Sequence, residues 1–407
     1  METMIKKKIC IVLYILIIFV LSGCWSRKEP KSLAIVNSAI FDIKANGQYR
    51  VTTEIMNPSA AGGTQESGAS EKSPNFTAFG KGNSVREAIS NLSLSIEKNN
   101  FGGHNKVRFF TERFIQKDMT SALDFLLRDH LADETPLMVV IRGEVPEEIH
   151  FSEIGLSEMV GDYVESLSQF QPNHTANSVF VTTLDFIKDY YNDGKQPVVG
   201  VAELMECDTK PSENTPIDSG SSEMSKIVLY EGLAAFKDDQ LVGYMNGVET
   251  RAYNLVTDYT GVAYVSISLG ENLIVLAITK SKSDIKTTVE DDQIIVNVNM
   301  KMVMSVVQDS GEVDVSKIES LKMVEQSFNL HMQEEIGAAI RKAQQEFESD
   351  IFGFGKYVHS QHPVEWKGIK ADWDDYFSKA RVYITVESSV NRSGEIKEPF
   401  IMEDDDR

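Results

Sequence analysis

The chain has 407 residues, 42% hydrophobic and 25% charged, with 61 acidic against 40 basic side chains and a formal net charge of −21. That length and ordinary composition specify two or three globular domains and exclude a chain disordered throughout. The acidic balance excludes a nucleic-acid binder, because displacing phosphate counterions needs a concentrated basic surface.

Lys6, Lys7 and Lys8 precede the apolar stretch "ICIVLYILIIFV", residues 9–20, and then Leu21-Ser22-Gly23-Cys24. A basic start, a short apolar run and small residues at the exit specify a secretory signal peptide over residues 1–23. The run falls short of the roughly 20 apolar residues of a spanning helix. Ser22-Gly23 running directly into Cys24 resembles a bacterial lipobox. The resemblance implies cleavage between Gly23 and Cys24 and a covalent diacylglycerol on the Cys24 thiol, which makes that cysteine a bilayer anchor. Two acyl chains suit the purpose, since each buried CH2 contributes about 0.8 kcal/mol and one chain binds only marginally. With Lys6, Lys7 and Lys8 against Glu2, residues 1–23 are basic, so the remainder is more acidic than the whole and is repelled by an anionic bilayer. Trp25, Arg27, Lys28 and Lys31, close to the anchor, are the local exception. With Cys10 inside the signal peptide and Cys24 acylated, Cys207 remains as the free thiol and no internal disulfide is expected.

"SLAIVNSAIFDI" and "QYRVTTEIM" read as a hairpin through Asn46-Gly47, a pair that tolerates the positive φ of a tight I′ turn. Residues 57–74, rich in Gly, Ser and Glu, read as a long loop. "NSVREAISNLSLSIEKN" places Val85, Ala88, Ile89, Leu92 and Ile96 on one helical face behind an Asn83 or Ser84 cap. "KVRFFTERFI" is strand-like, "MTSALDFLLRDH" helical and "PLMVVIRG" a short buried strand, an alternation that specifies α/β or α+β layers. Residues 208–225 read as an interdomain linker or exposed loop. Beyond them, "SKIVLYEGLAAFKDDQLVGYMNG" gives two strands about a turn at Asp238-Asp239. "DQIIVNVNMKMVMSVV" alternates Ile294, Val296, Val298, Met300, Met302, Met304 and Val306 against Asn297, Asn299, Lys301 and Ser305, a strand with one wet face. Ser316 and Glu319 form an S-x-x-E capping box ahead of apolar residues spaced by three and four from Ile318 to Phe347, a helix of about 30 residues. "RVYITVESSV" is a last alternating strand. The predicted fold is α+β and multidomain, with mixed sheets packed against helices: an N-terminal α/β region over 24–207, a linker over 208–225, a two-layer domain with one long amphipathic helix over 226–395, and an acidic tail over 396–407.

Four stretches imitate chemical motifs. Gly80 and Gly82 before a helix lack the third glycine of G-x-G-x-x-G and the G-K-[ST] ending of a P-loop, so a glycine-rich start to a helix is the reading. "DIKANGQYRVTTE" puts Lys44 at a calcium-ligand position and Thr53 where the bidentate acid belongs, so the hairpin reading prevails. His359, His362 and Glu365 lack the HExxH order and Pro363 interrupts a helix between His359 and Glu365, which favours aromatic and histidine packing over zinc. Cys207 has no histidine nearby in sequence, and His104, His150 and His174 are distant; no nucleophile elbow occurs. No catalytic residue, metal or dissociable cofactor is expected.

Taken in order, "GCWSRKE", "LAIVNSAIFD", "NFGGHNKVRFFTE", "LDFLLRDH", "YEGLAAFKDDQLVGYMNGVETRAYN" and "DIFGFGKYVHSQHPVEWKGIKADWDDYF" resemble the Ger(x)C-type lipoproteins, the C subunits of nutrient germinant receptors in endospore-forming bacteria. The resemblance runs from about Cys24 to about Val390. It implies mixed α/β domains on the extracytoplasmic face of the spore inner membrane, the bilayer and two partner subunits, polytopic or partly soluble, as partners, and no enzymatic activity. Whether the subunit touches the nutrient is not readable. The alternative is a lipid-anchored solute-binding protein of a transporter, which calls for two similar lobes about a cleft.

Overall fold

The computed structural model describes residues 33–57, 75–128, 133–143, 146–151, 157, 159–171, 174–207, 225–258, 261–270, 272–290, 293–309 and 317–391. The signal peptide, Cys24, most of the 57–74 and 208–225 stretches and the acidic tail lie outside them. Strand β1 (Leu33–Ile43) pairs antiparallel with β2 (Tyr49–Met56), and β2 with β3 (Asn75–Gly82). On its other flank β1 carries the short β4 (Asn99–Phe101) near its start and β5 (Val107–Thr111) farther along, both parallel. Next come β6 (Leu137–Arg142) and β7 (Val198–Cys207), each parallel to its predecessor, then β8 (Ser225–Lys237) and β9 (Gln240–Met245), antiparallel. The result is one nine-stranded sheet of order β3-β2-β1-β5-β6-β7-β8-β9, with β4 beside β1.

Parallel neighbours need crossover connections, and the helices in those crossovers cover both faces of the sheet. Helices α1 (Val85–Asn91) and α2 (Glu112–Arg128) lie on one face, α3 (Val160–Phe170) on the other, and α4 (Thr183–Tyr190) returns to the first through Phe186. The strand period of two makes the division visible inside β5. Phe110 joins Phe114, Met119 and Ala88 on the first face, while Val107 and Phe109 join Val160 and Val164 on the second.

After α5 (Gly247–Val256) the chain builds a second sheet from β10 (Ala263–Leu269), β11 (Asn272–Glu290) and β12 (Gln293–Asp309). Helices α6 (Ile318–Lys342), α7 (Phe354–Gln361), α8 (Pro363–Ile369) and α9 (Trp373–Lys379) form the crossover to β13 (Arg381–Val390), parallel to β12. In β12 the residues from Ile294 to Met304 on the expected face are buried, as is the α6 stripe Leu321, Val324, Phe328, Met332, Ile336 and Ile340. Each such side chain contributes about 1.5–3 kcal/mol on burial. The same core takes in Val198, Leu233, Ala235 and Met245 from the first sheet, so the two sheets are joined by apolar contact.

Several local readings change. Gly47 adopts φ 82° and Asn46 stays at negative φ; Lys44 N bonds Gln48 O at 2.9 Å and Gly47 N bonds Lys44 O at 2.8 Å. The connection is therefore a three-residue loop with glycine at its left-handed position, in place of a two-residue I′ turn. "KVRFFTERFI" stops being strand at Thr111, whose hydroxyl accepts from Phe114 N at 3.3 Å and caps α2. Asp118, at φ −161° and ψ 54°, kinks α2 and caps its second half through Ser121 N. Of the two proposed caps of α1, Ser84 holds the position, and the helix ends at Asn91 before a short 3₁₀ turn. Lys317 occupies the N-cap position of α6 with no side-chain cap bond, and Ser316 lies outside the described residues. The 208–225 stretch joins strands paired to each other from Cys207↔Ser225 onward, so it connects neighbours within one sheet.

Candidate functional site

The residues that imitated chemical motifs serve packing. A Cβ on Gly80 would stand 2.0 Å from Ala88 O, and one on Gly82 2.7 Å from Ala88 N, so both glycines let α1 close on β3. Asp42 takes Arg113 bidentately at 2.5 and 2.7 Å and Thr111 Oγ1 at 2.9 Å. Burial pushes its carboxyl up, but Arg113, Thr111 and Lys44 together bring it below the usual range. His359 stacks on Trp366, and His362 Nε2 lies 2.8 Å from Thr287 O. His104 packs against Phe101 and His174 on Phe170. Cys207 ends β7. Among the described residues no three His, Cys, Asp or Glu side chains converge as a metal site.

Sequence reasoning missed two buried polar centres. Glu54, a carboxylate on the buried side of β2, accepts from Val160 N, Gly161 N, Ser38 Oγ and Asn75 Nδ2 at 2.8, 3.1, 2.9 and 2.8 Å. It thereby ties the first turn of α3 to the sheet, where the helix dipole favours a negative charge. Burial raises its carboxyl and these four donors oppose that rise. Ser38 Oγ also meets His150 Nε2 at 2.9 Å. The single serine proton goes to Glu54, so Nε2 is the protonated nitrogen of a neutral imidazole. Burial pushes His150 down to about 3. In this carboxylate–serine–histidine order the imidazole donates to the hydroxyl and does not accept its proton, which is not the arrangement of a hydrolase triad.

The second centre lies where the two sheets meet. Asp350 accepts from Gly353 N, Phe354 N, Gly355 N and Trp373 Nε1 at 2.8, 3.1, 2.8 and 3.0 Å, and burial raises its carboxyl to about 6. Its own carbonyl accepts from Gln196 N at 2.9 Å, and Lys356 N bonds Gly194 O at 3.1 Å. A Cβ on Gly355 would stand 2.7 Å from Gly194 Cα, so "DIFGFG" is glycine-rich because backbone meets backbone. Asp189 pairs with Lys195 and Lys356 at 2.7 and 3.1 Å. Above this junction a groove of about 620 Å³ is lined by Tyr190, Tyr191, Trp373 and the carboxylates of Asp193, Asp238 and Asp375. From α5, Arg251 holds Glu335 of α6 bidentately at 3.0 and 2.7 Å and gives its third nitrogen to Tyr264 O at 3.0 Å.

Residues 26–204 match the family model described as spore germination protein N-terminal domain, and residues 231–394 match that described as spore germination B3/GerAC like, C-terminal. The chain belongs to the Ger(x)C family of spore germination proteins. Spore germination protein KC of Bacillus subtilis (strain 168) is 23% identical over 408 residues, covering 96% of this chain and 97% of that protein. Spore germination protein B3 of the same organism is 22% identical, covering 88% and 91%. The crystal structure of the GerBC protein has a TM-score of 0.52 at 17% identity, covering 86% of this chain and 96% of that one, and so shares the fold. In this Ger(x)C chain the two domain models divide between residues 204 and 231, the interval in which β7 hands over to β8 inside one sheet. The Asp350 junction is accordingly a second place where the two halves are held together.

Proposed function

We propose that this chain is the lipid-anchored subunit of a spore nutrient germinant receptor, on the extracytoplasmic face of the spore inner membrane, assembled with two polytopic partner subunits and needed for the receptor to form and act. The observation that carries the reading is the match of both family domains, in order, over most of the chain, behind the Leu21-Ser22-Gly23-Cys24 sequence. The role is one of assembly; the Glu54 and Asp350 centres spend their polar groups on holding elements together and leave no activated nucleophile.

Leu33 follows Cys24 by about nine residues, at most about 30 Å of extended chain. Diacylglycerol on Cys24 would hold β1, an interior strand of the large sheet, within that reach of the headgroups. Confinement near the membrane raises the local concentration of the acidic body about its partners and replaces part of the affinity a free subunit would need. The test is membrane fractionation and affinity pull-down of wild type and Cys24→Ala from sporulating cells, with mass spectrometry of what co-purifies. Wild type is expected in the inner membrane with polytopic germination subunits, and Cys24→Ala in the soluble fraction with germination severely impaired. A Cys24→Ala protein that stays in the membrane, or transporter components in the pull-down, would sink the reading.

A further inference from the structure

A cavity of about 410 Å³ lies on the first face of the large sheet, beneath α1 and α2 and beside β4. Its walls include Phe41, Val51, Leu92, Phe101 and Leu126, and its volume falls in the range of small-molecule sites. The charges on the wall run against the rest of the chain. In a protein of net charge −21 the lining contains Arg86 and Arg108 and no carboxylate.

Arg108 is 4% exposed, on the buried strand β5. Its Nη1 donates to Thr183 Oγ1 at 2.7 Å and its Nη2 to the Asp133 carbonyl at 2.5 Å, both neutral oxygens. Asp133 and Glu134 act on it through space, yet among the described residues no carboxylate stands within ion-pair distance. A buried guanidinium without a contacting counter-charge is costly, and its planar fork matches a carboxylate. Arg251, the other buried arginine among the described residues, shows the ordinary solution by holding Glu335.

We infer that this cavity is a binding site for a small apolar carboxylic acid, its carboxylate drawn to Arg108 and its hydrocarbon body held by Phe41, Val51, Leu92, Phe101 and Leu126. The site goes beyond the receptor reading and does not rest on it. An alcohol or an amine of the same shape would fill the same volume but give the guanidinium no contacting counter-charge or oppose it.

The full-length chain in lipid nanodiscs, titrated with 3-(4-fluorophenyl)propanoate and followed by ¹⁹F NMR against empty nanodiscs, tests this. Saturable binding of the acid is expected, with the corresponding alcohol and amine at least ten-fold weaker. Arg108→Gln should weaken the acid ten-fold or more. Ser90 lies exposed at the cavity wall, so Ser90→Trp should block binding while leaving the fold intact and keeps the test valid if Arg108→Gln fails to fold. Equal binding of acid, alcohol and amine, acid binding unchanged in Ser90→Trp, or no saturable binding at millimolar concentration would each overturn the inference.

Discussion

Glu335→Ala should unfold the junction of α5 and α6 far more readily than its single lost side chain suggests. Arg251 and Glu335 have side chains 11% and 7% exposed, and the deletion leaves Arg251 Nε and Nη2 without the acceptors now at 3.0 and 2.7 Å. Two hydrogen bonds to charged groups at about 1.5–3 kcal/mol each, discounted for the water that reaches the guanidinium edge, give a loss of about 3–4 kcal/mol. Replacing both partners by apolar residues of similar volume, Arg251→Met with Glu335→Leu, removes the buried charges along with the bond and should return stability to within about 1 kcal/mol of wild type. Trp366 and Trp373 are buried in the same core, so tryptophan fluorescence during urea unfolding, in a Trp25→Phe background, reports on this region. If the double variant falls as far as Glu335→Ala, the two residues are uncoupled and the reasoning fails.

His150 should make the fold acid-sensitive. Its folded pKa of about 3 lies below the unfolded 6.5, so the neutral ring's contribution is complete above about 6.5 and is lost as pH falls, at roughly 1.4 kcal/mol per pH unit. His150→Gln should flatten the stability profile between pH 6.5 and 4, and an unchanged slope in urea titrations would reject the assignment. Gly80→Ala should lower stability by about 3 kcal/mol, because its Cβ meets backbone at 2.0 Å and α1 must lift off β3; a melting temperature within a degree of wild type would show that the helix gives way. Asp350→Ala strips four donors of their acceptor and should cost about 4 kcal/mol or more, seen as early loss of Trp373 burial on denaturation, whereas a wild-type curve would mean that water replaces the carboxylate.

Long periodic elements were legible from the sequence because burial writes itself into every second or every third and fourth residue: β12, β13 and α6 stand where the pattern put them. Short elements were less so. α4 and α5 are short, and their sequence signals are the capping boxes Thr182/Asp185 and Asn246/Glu249 with only about two to three turns of apolar spacing behind them. The strand expected over "KVRFFTERFI" ends early because Thr111 belongs equally to a strand and to a helix cap. The sites were illegible for a different reason. Glu54, Arg108 and Asp350 are charged residues inside the protein, and nothing local distinguishes them from the other Asp, Glu, Lys and Arg residues, which together make up 25% of the sequence. Their partners range from the nearby Gly353 of Asp350 to Thr183, 75 residues from Arg108, and Val160, 106 residues from Glu54, and only folding brings the distant ones together.

The strand order of the large sheet has a consequence in time. From β1 onward each new hydrogen-bonded neighbour on that flank, β5, β6, β7, β8 and β9, is also the next to be synthesised, so the sheet can grow by addition at a single open edge while the chain is still being made. At about 5–20 residues per second, roughly 10–40 seconds separate β1 from β9, and throughout that interval one row of unpaired backbone groups faces outward. The second sheet is also laid down in chain order, from β10 to β13, but its last addition waits on four helices. β13 pairs with β12 only after α6 to α9 have been produced and folded back, which makes the last strand the late step of folding and the point at which a truncated or stalled chain is left with an open sheet.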